Sequence, residues 1–131
     1  MTARPIRIPD ARHPITTQHN PKRVVVKLAG LELADTRDAI TLQEASYPAV
    51  QYIPRKDVAM GLLKRSDHAT YCPYKGDASY FHLSTPDATL ENAVWTYESP
   101  SDAVSVIKDH VAFYPNLVEI SELSENAGAR S

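Results

Sequence analysis

The stretch RVVVKLAGLELAD, Arg23 to Asp35, settles the class of fold. Val24, Val26 and Leu28 alternate with Val25, Lys27 and Ala29, the period-two pattern of a strand that buries one face. Gly30 supplies a turn, because glycine takes left-handed backbone that other residues resist. Leu31 and Leu33 then resume the alternation. The segment predicts a β-hairpin.

The rest of the chain repeats this theme at short intervals. AITLQE (39–44) predicts a third strand with Ile40 and Leu42 on one face, and VQYIP (50–54) a fourth that Pro54 stops. In RKDVAMGLLKRS (55–66), Val58, Leu62 and Leu63 fall at helical spacing, but Gly61 limits this to one or two turns. SDHATYC and DASYFHLS predict two strands around the turn PYKG (73–76), and ATLENAVWTY (88–97) another. A helix is expected near 100–110. Ser99 suits its N-cap, Pro100 its first position and Asp102 a capping box, with Val104, Ile107 and Val111 on one face. Pro115 stops the segment after that helix, and LVEIS (117–121) returns as an edge strand. The expected fold is mainly β, with short antiparallel strands and one C-terminal helix. Residues 1–21, with four prolines and two histidines, predict an irregular arm. Residues 22–122 predict a single β-rich domain, and 123–131 a flexible tail.

Composition narrows the function. The chain has 131 residues, of which 43% are hydrophobic, enough for a packed core in one domain. Fourteen Lys and Arg against 16 Asp and Glu give a net charge of -2, with no basic cluster to meet nucleic acid or an anionic membrane. One cysteine excludes an internal disulfide and a multi-cysteine zinc site. No apolar run is long enough to span a membrane, and MTARPIRIPDARHP lacks the apolar core of a secretory signal, so a cytoplasmic location is expected.

The densest chemistry is YCPYKGDASYFH, Tyr71 to His82. Pro73 and Gly76 predict a hairpin tip. With Cys72 opposite Ala78, one face carries His68, Thr70, Cys72, Tyr80 and His82. A cysteine nucleophile needs a base within hydrogen-bond reach. His68 and Cys72, four residues apart on an extended strand, stand roughly 13 Å apart at about 3.3 Å per residue. Cys72 therefore reads more simply as a small half-buried thiol. Lys75 and Asp77 flank Gly76, where a lysine and turn amides can hold a phosphate or carboxylate; the plain alternative is a solvated turn. The tip is not a P-loop, since no glycine-rich run precedes Lys75. His68 and His82 lack a marked third ligand, so no metal is expected. In YIPRKDV, Arg55 can clamp an anion and lies beside Tyr52, Lys56 and Asp57. Trp95 and Tyr97 share a strand face, as core or as the wall of a pocket.

The segments VVVKLAGLELADTRDAI, YIPRKDVAMGLLKRSDHATYCPYKGDASYF, ENAVWTYESP and VAFYP resemble a small bacterial and fungal domain of unknown function that carries a nucleotidyltransferase label. The likeness runs from about Arg23 to Val118, and HPIT (13–16) is similar to the family's opening. It implies an open two-sheet, tent-like fold, near folds that often hold zinc on cysteine pairs; a single cysteine cannot carry that site over. The family's site would fall at Tyr52, Pro54, Arg55 and Asp57, at His68, Cys72, Pro73, Lys75, Gly76 and Asp77, at Tyr80, and at Trp95, Tyr97 and Tyr114.

These residues support three functional expectations. The first is a polar cleft that binds, and transforms, an anionic small molecule. Arg55 and Lys75 hold the anion, Asp77 or His68 moves a proton, Tyr80 and Tyr97 orient, Tyr52 and Asp57 support, and Cys72 sits at the rim. The second is a thiol-dependent enzyme or redox sensor using Cys72. The third is an interaction module whose edge near Val118 to Ile120 pairs with a second copy or another partner.

Overall fold

The computed structural model describes residues 5–124. Ten strands form two antiparallel sheets: β1 (Ile15–His19), β2 (Arg23–Leu28), β3 (Leu31–Thr36), β4 (Ile40–Glu44), β5 (Val50–Pro54), β6 (Leu63–Cys72), β7 (Gly76–Ser84), β8 (Thr89–Thr96), β9 (His110–Phe113) and β10 (Glu119–Leu123). Seven strands lie in the order β1-β4-β5-β9-β8-β7-β6, and three in the order β10-β2-β3. The expected two-sheet, mainly β architecture holds, and neither sheet closes into a barrel.

The founding hairpin is β2–β3. Ala29 (φ 50°) and Gly30 (φ 83°) form its two-residue turn, and two left-handed residues match the twist of the flanking strands. Val24 pairs with Thr36 and Val26 with Ala34, and all four are buried. β10 pairs along the other side of β2, so the LVEIS segment is an edge strand as expected.

Consecutive residues in the central strands are buried on opposite faces of the large sheet. Ile53, Phe81, Leu83, Val94, Val111 and Phe113 pack with Val24, Val26 and Ala34 of the small sheet. Their neighbours Tyr52, Tyr80 and Ala112 point the other way, into a second cluster with Leu42, Tyr97, Val104 and Ile107. Each fully buried Val, Leu or Ile adds about 1.5–3 kcal/mol. This two-sided burial explains why β7 and β9 carry runs such as Tyr80-Phe81 and Val111-Ala112 with no exposed member.

Three expectations are corrected. No α-helix forms near 100–110. Asp102–Ile107 is 3-10 helix, interrupted at Val104 (φ -128°, ψ 27°), and Ser101 at its start makes no side-chain cap. Val111, expected on the helix face, lies in β9. That strand fills the gap between β5 and β8, where Val111 pairs with Ile53. A buried place in a sheet outweighs a local helical pattern, because propensity is weak against tertiary packing. Residues 15–19, expected within the irregular arm, form β1 and pair with β4. The tip of the β6–β7 hairpin is tighter than read: Cys72 opposes Gly76 and Thr70 opposes Ala78, two residues from the expected register. Lys75 donates its backbone N–H to the Cys72 carbonyl at 3.2 Å, which closes the turn early. A two-residue slip preserves side-chain faces, so Thr70 still meets Tyr80, hydroxyl to hydroxyl at 2.9 Å. His82 instead pairs with Lys64 beyond a bulge and accepts the Asn92 N–H on Nδ1 at 3.1 Å. Of the tail expected to be flexible, residues 125–131 lie outside the described residues.

Candidate ligand cleft

The face of the large sheet turned away from the small sheet carries a cleft of about 220 Å³. Register builds its floor. Ile40 pairs with Tyr52, Ile53 with Val111, Trp95 with Ala112 and Tyr80 with Trp95. One row across five strands therefore reads Ile40, Tyr52, Ala112, Trp95, Tyr80. The small Ala112 lets its large neighbours meet above it: the Trp95 indole N–H donates to the Tyr52 hydroxyl at 3.1 Å. Tyr114 tilts against Trp95 at 4.5 Å and Tyr97 against Tyr52 at 6.5 Å. Leu42, Val50 and Pro48 close the apolar side.

Charge enters at one end. Lys75, from the hairpin tip, donates to Glu44 Oε1. The other carboxylate oxygen, Oε2, bonds His13 Nε2 at 2.7 Å. The Lys75 and Glu44 side chains are only 13% and 14% exposed, so this is a largely desolvated pair. The Lys75 ammonium also lies 5.9 Å from the Tyr97 ring. Burial pushes the Glu44 carboxyl up, but hydrogen bonds from Lys75 and His13, and the charge of Lys75, outweigh it and hold the group below its ordinary value. Burial pushes the Tyr52 and Tyr97 hydroxyls well above the ordinary tyrosine value, and Tyr114 to about 12. All three are hydrogen-bond donors at neutral pH.

The segment before β1, which turns tightly between Asp10 and His13, positions His13. Arg7 donates its N–H to the Pro73 carbonyl at 3.0 Å, and the Tyr71 hydroxyl donates to the Pro5 carbonyl at 2.6 Å. His13 stacks on Tyr74 of the hairpin tip, with 4.0 Å between rings. Ser101 ties the tip to the following loop through its N–H and the Lys75 carbonyl at 3.0 Å.

Lys75, Tyr80, Tyr97 and Tyr52 thus come together in the cleft. Cys72 packs beside it, half-buried against the same cluster. His68 lies over the Tyr80 ring at 4.5 Å. Three residues do not join them. Asp77 is exposed and alternates away from Ala78 and Tyr80. Asp57 accepts the Thr36 hydroxyl at 2.7 Å, beside Lys56 at 3.3 Å. Arg55 projects from the opposite face, with its guanidinium 5.6 Å from Phe81 and bonds to Thr96 at 3.2 Å and Glu98 at 3.4 Å. Glu98 belongs chiefly to Arg65, through contacts of 2.5 and 2.8 Å, and the Arg65 hydrogen bond brings its carboxyl down to about 2.

Sequence reading missed Glu44, His13 and Tyr47. Glu44 shares strand parity with Ile40 and Leu42, so its face was legible. Its lysine partner, 31 residues away, was not.

Comparison with known families comes to the same stretch of chain. The model of a domain of unknown function, DUF427, which carries a nucleotidyltransferase label, matches residues 16–123. The chain belongs to this family. No curated protein sequence matches it significantly.

Proposed function

We propose that this member of the DUF427 family binds a small molecule with a planar or apolar body and one carboxylate or phosphate group. The observation that carries the reading is Lys75, whose side chain is only 13% exposed, in a cleft walled by tyrosines and a tryptophan. Aromatic faces accept flat apolar groups. A desolvated ammonium attracts an anion more strongly than a surface lysine does. Tyr97, whose ring lies 5.9 Å from that ammonium, and Tyr114, which lines the same cleft, are protonated at neutral pH and supply donors. Of the residues expected to hold the anion, Lys75 is the one in the cleft; Arg55 lies beyond the sheet and plays no part there.

The family label suggests nucleotidyl transfer, which ordinarily uses magnesium held by carboxylates. Among the described residues no group of three or more His, Cys, Asp or Glu side chains is placed to hold an ion. Glu44, the carboxylate of the cleft, is already bonded to two basic groups. The residues present do not fit that metal.

Trp95 is the chain's single tryptophan and lines the cleft, so its fluorescence reports binding directly. Titrating aromatic carboxylates and phosphates against the protein should change that emission saturably, and Lys75→Ala should raise Kd at least tenfold. Equal affinity in parent and Lys75→Ala for every ligand found would sink the proposal.

A further inference from the structure

Glu44 divides its two carboxylate oxygens between two basic groups, Oε1 to Lys75 and Oε2 to His13. An anion bonding Lys75 must share or displace that first contact. The cleft would then hold two negative groups against one ammonium, in a place where Lys75 and Glu44 are almost closed to water. Uncompensated charge is costly there. The remaining group able to take up positive charge in contact with Glu44 is His13, already at 2.7 Å. We infer that binding of an anion at Lys75 is coupled to uptake of one proton by His13, with Glu44 as the link. This rests on the cleft being an anion site, and it adds how that site is regulated.

The balance is simple. Before binding, Lys75 is a cation and Glu44 an anion. The ligand brings one negative charge, solvent supplies one proton to the imidazole, and the site returns to neutrality. No covalent bond changes. Glu44 keeps a charged partner throughout and moves from an ammonium–carboxylate pair toward an imidazolium–carboxylate pair.

The surroundings of His13 allow this. From β4 it faces Glu44. From the hairpin tip it faces Tyr74, stacked at 4.0 Å, with Lys75 beyond Glu44. From the loop after β4, Tyr47 stands edge-on at 6.5 Å. On its own segment, the Asp10 carboxylate accepts the His13 backbone N–H at 3.0 Å. Lys75 is the cation on the other oxygen of Glu44, and the arriving anion offsets its charge.

Benzoate is the probe, because its ring suits the aromatic wall and it stays ionised across the range tested. Calorimetric titration in buffers of different ionisation enthalpy counts protons taken up, and Trp95 fluorescence gives Kd between about pH 6 and pH 8, where histidine titrates. The expected result is net uptake approaching one proton in the upper part of that range. Kd should rise with pH by up to about tenfold per unit, the limit for one coupled proton. His13→Gln keeps a hydrogen-bond donor but cannot charge, and should abolish both the proton uptake and the pH slope. His19→Gln, whose imidazole bonds the Arg37 carbonyl at 3.0 Å outside the cleft, should retain both. Binding that depends on Lys75 but takes up no proton, or uptake unchanged in His13→Gln, would overturn the coupling and leave the anion site standing. If benzoate leaves Trp95 unchanged at tens of millimolar, both readings fall.

Discussion

Trp95 donates its indole N–H to the Tyr52 hydroxyl at 3.1 Å across a whole β-strand, because the residue between them, Ala112, contributes only a methyl group. The cleft floor depends on that gap. β5, β9 and β8 come from three separate parts of the chain, and their register puts the smallest side chain in the middle of the row.

Ala112→Leu should therefore overfill a fully buried position and part the two rings. The expected loss is about 1–3 kcal/mol, the usual cost of adding methylenes to a packed core. Urea unfolding measures it, and a red shift of Trp95 emission in the folded variant reports the opened wall. A variant as stable as the parent, with unshifted emission, would show that the row is loosely packed.

Lys75→Met keeps the length of the side chain and removes the charge. Glu44 is then left partly buried with His13 alone. Losing one member of a desolvated pair costs about 3 kcal/mol. Combining it with Glu44→Gln should recover part of that loss, since no charge is stranded. A double variant weaker than the sum of the two single changes would contradict the pairing.

Glu98 makes a prediction about acid. Its carboxyl is brought from the ordinary 4.5 to about 2, mainly by the Arg65 hydrogen bond. A lowered folded pKa contributes stability above the unfolded value, and that contribution is lost as pH falls from about 4.5 through about 2. The side chain is 39% exposed, so solvent screening reduces the contribution to about 1 kcal/mol. Glu98→Gln should be less stable than the parent at pH 7 and equal to it near pH 2, as followed by thermal unfolding. A difference that persists into acid would assign the effect to packing instead.

Gly76 has φ of +109°, and a Cβ there would meet the Ser99 carbonyl oxygen at 3.2 Å. Gly76→Ala should cost about 1–3 kcal/mol through backbone strain. It should also weaken ligand binding, since Lys75 is the adjacent residue and its carbonyl anchors Ser101. Unfolding and Trp95 titration on the same variant test the two effects together.

Cys72 should react with iodoacetamide more slowly than a free thiol at neutral pH. It is half-buried against the aromatic cluster, and the His68 ring lies on Tyr80. Mass spectrometry of timed samples measures the rate. A rate equal to or above that of glutathione would revive Cys72 as a reactive group.

The features legible in the sequence are local. Alternation in Val24–Leu28 and Leu31–Leu33, with Gly30 between, specified a hairpin, because strand periodicity and turn conformation are properties of neighbouring residues. The same holds for β4, β5, β7 and β8, whereas β6 begins at Leu63, inside the segment expected to form helical turns, and the tip at Lys75 pairs two residues from its expected register. Tertiary structure decided what depends on partners distant in the chain. Residues 15–19 become a strand because β4 offers an edge, and Val111 leaves a helical pattern because a buried slot lies between β5 and β8. The site divides on the same principle. Tyr52, Tyr80 and Tyr97 could be chosen from strand faces, but Arg55 and Lys75 look alike in sequence and end on opposite sides of the sheet. Only the pairing of strands brings Glu44 and His13 to Lys75, and only the tertiary fold leaves the Lys75 side chain 13% exposed against 30% for Arg55.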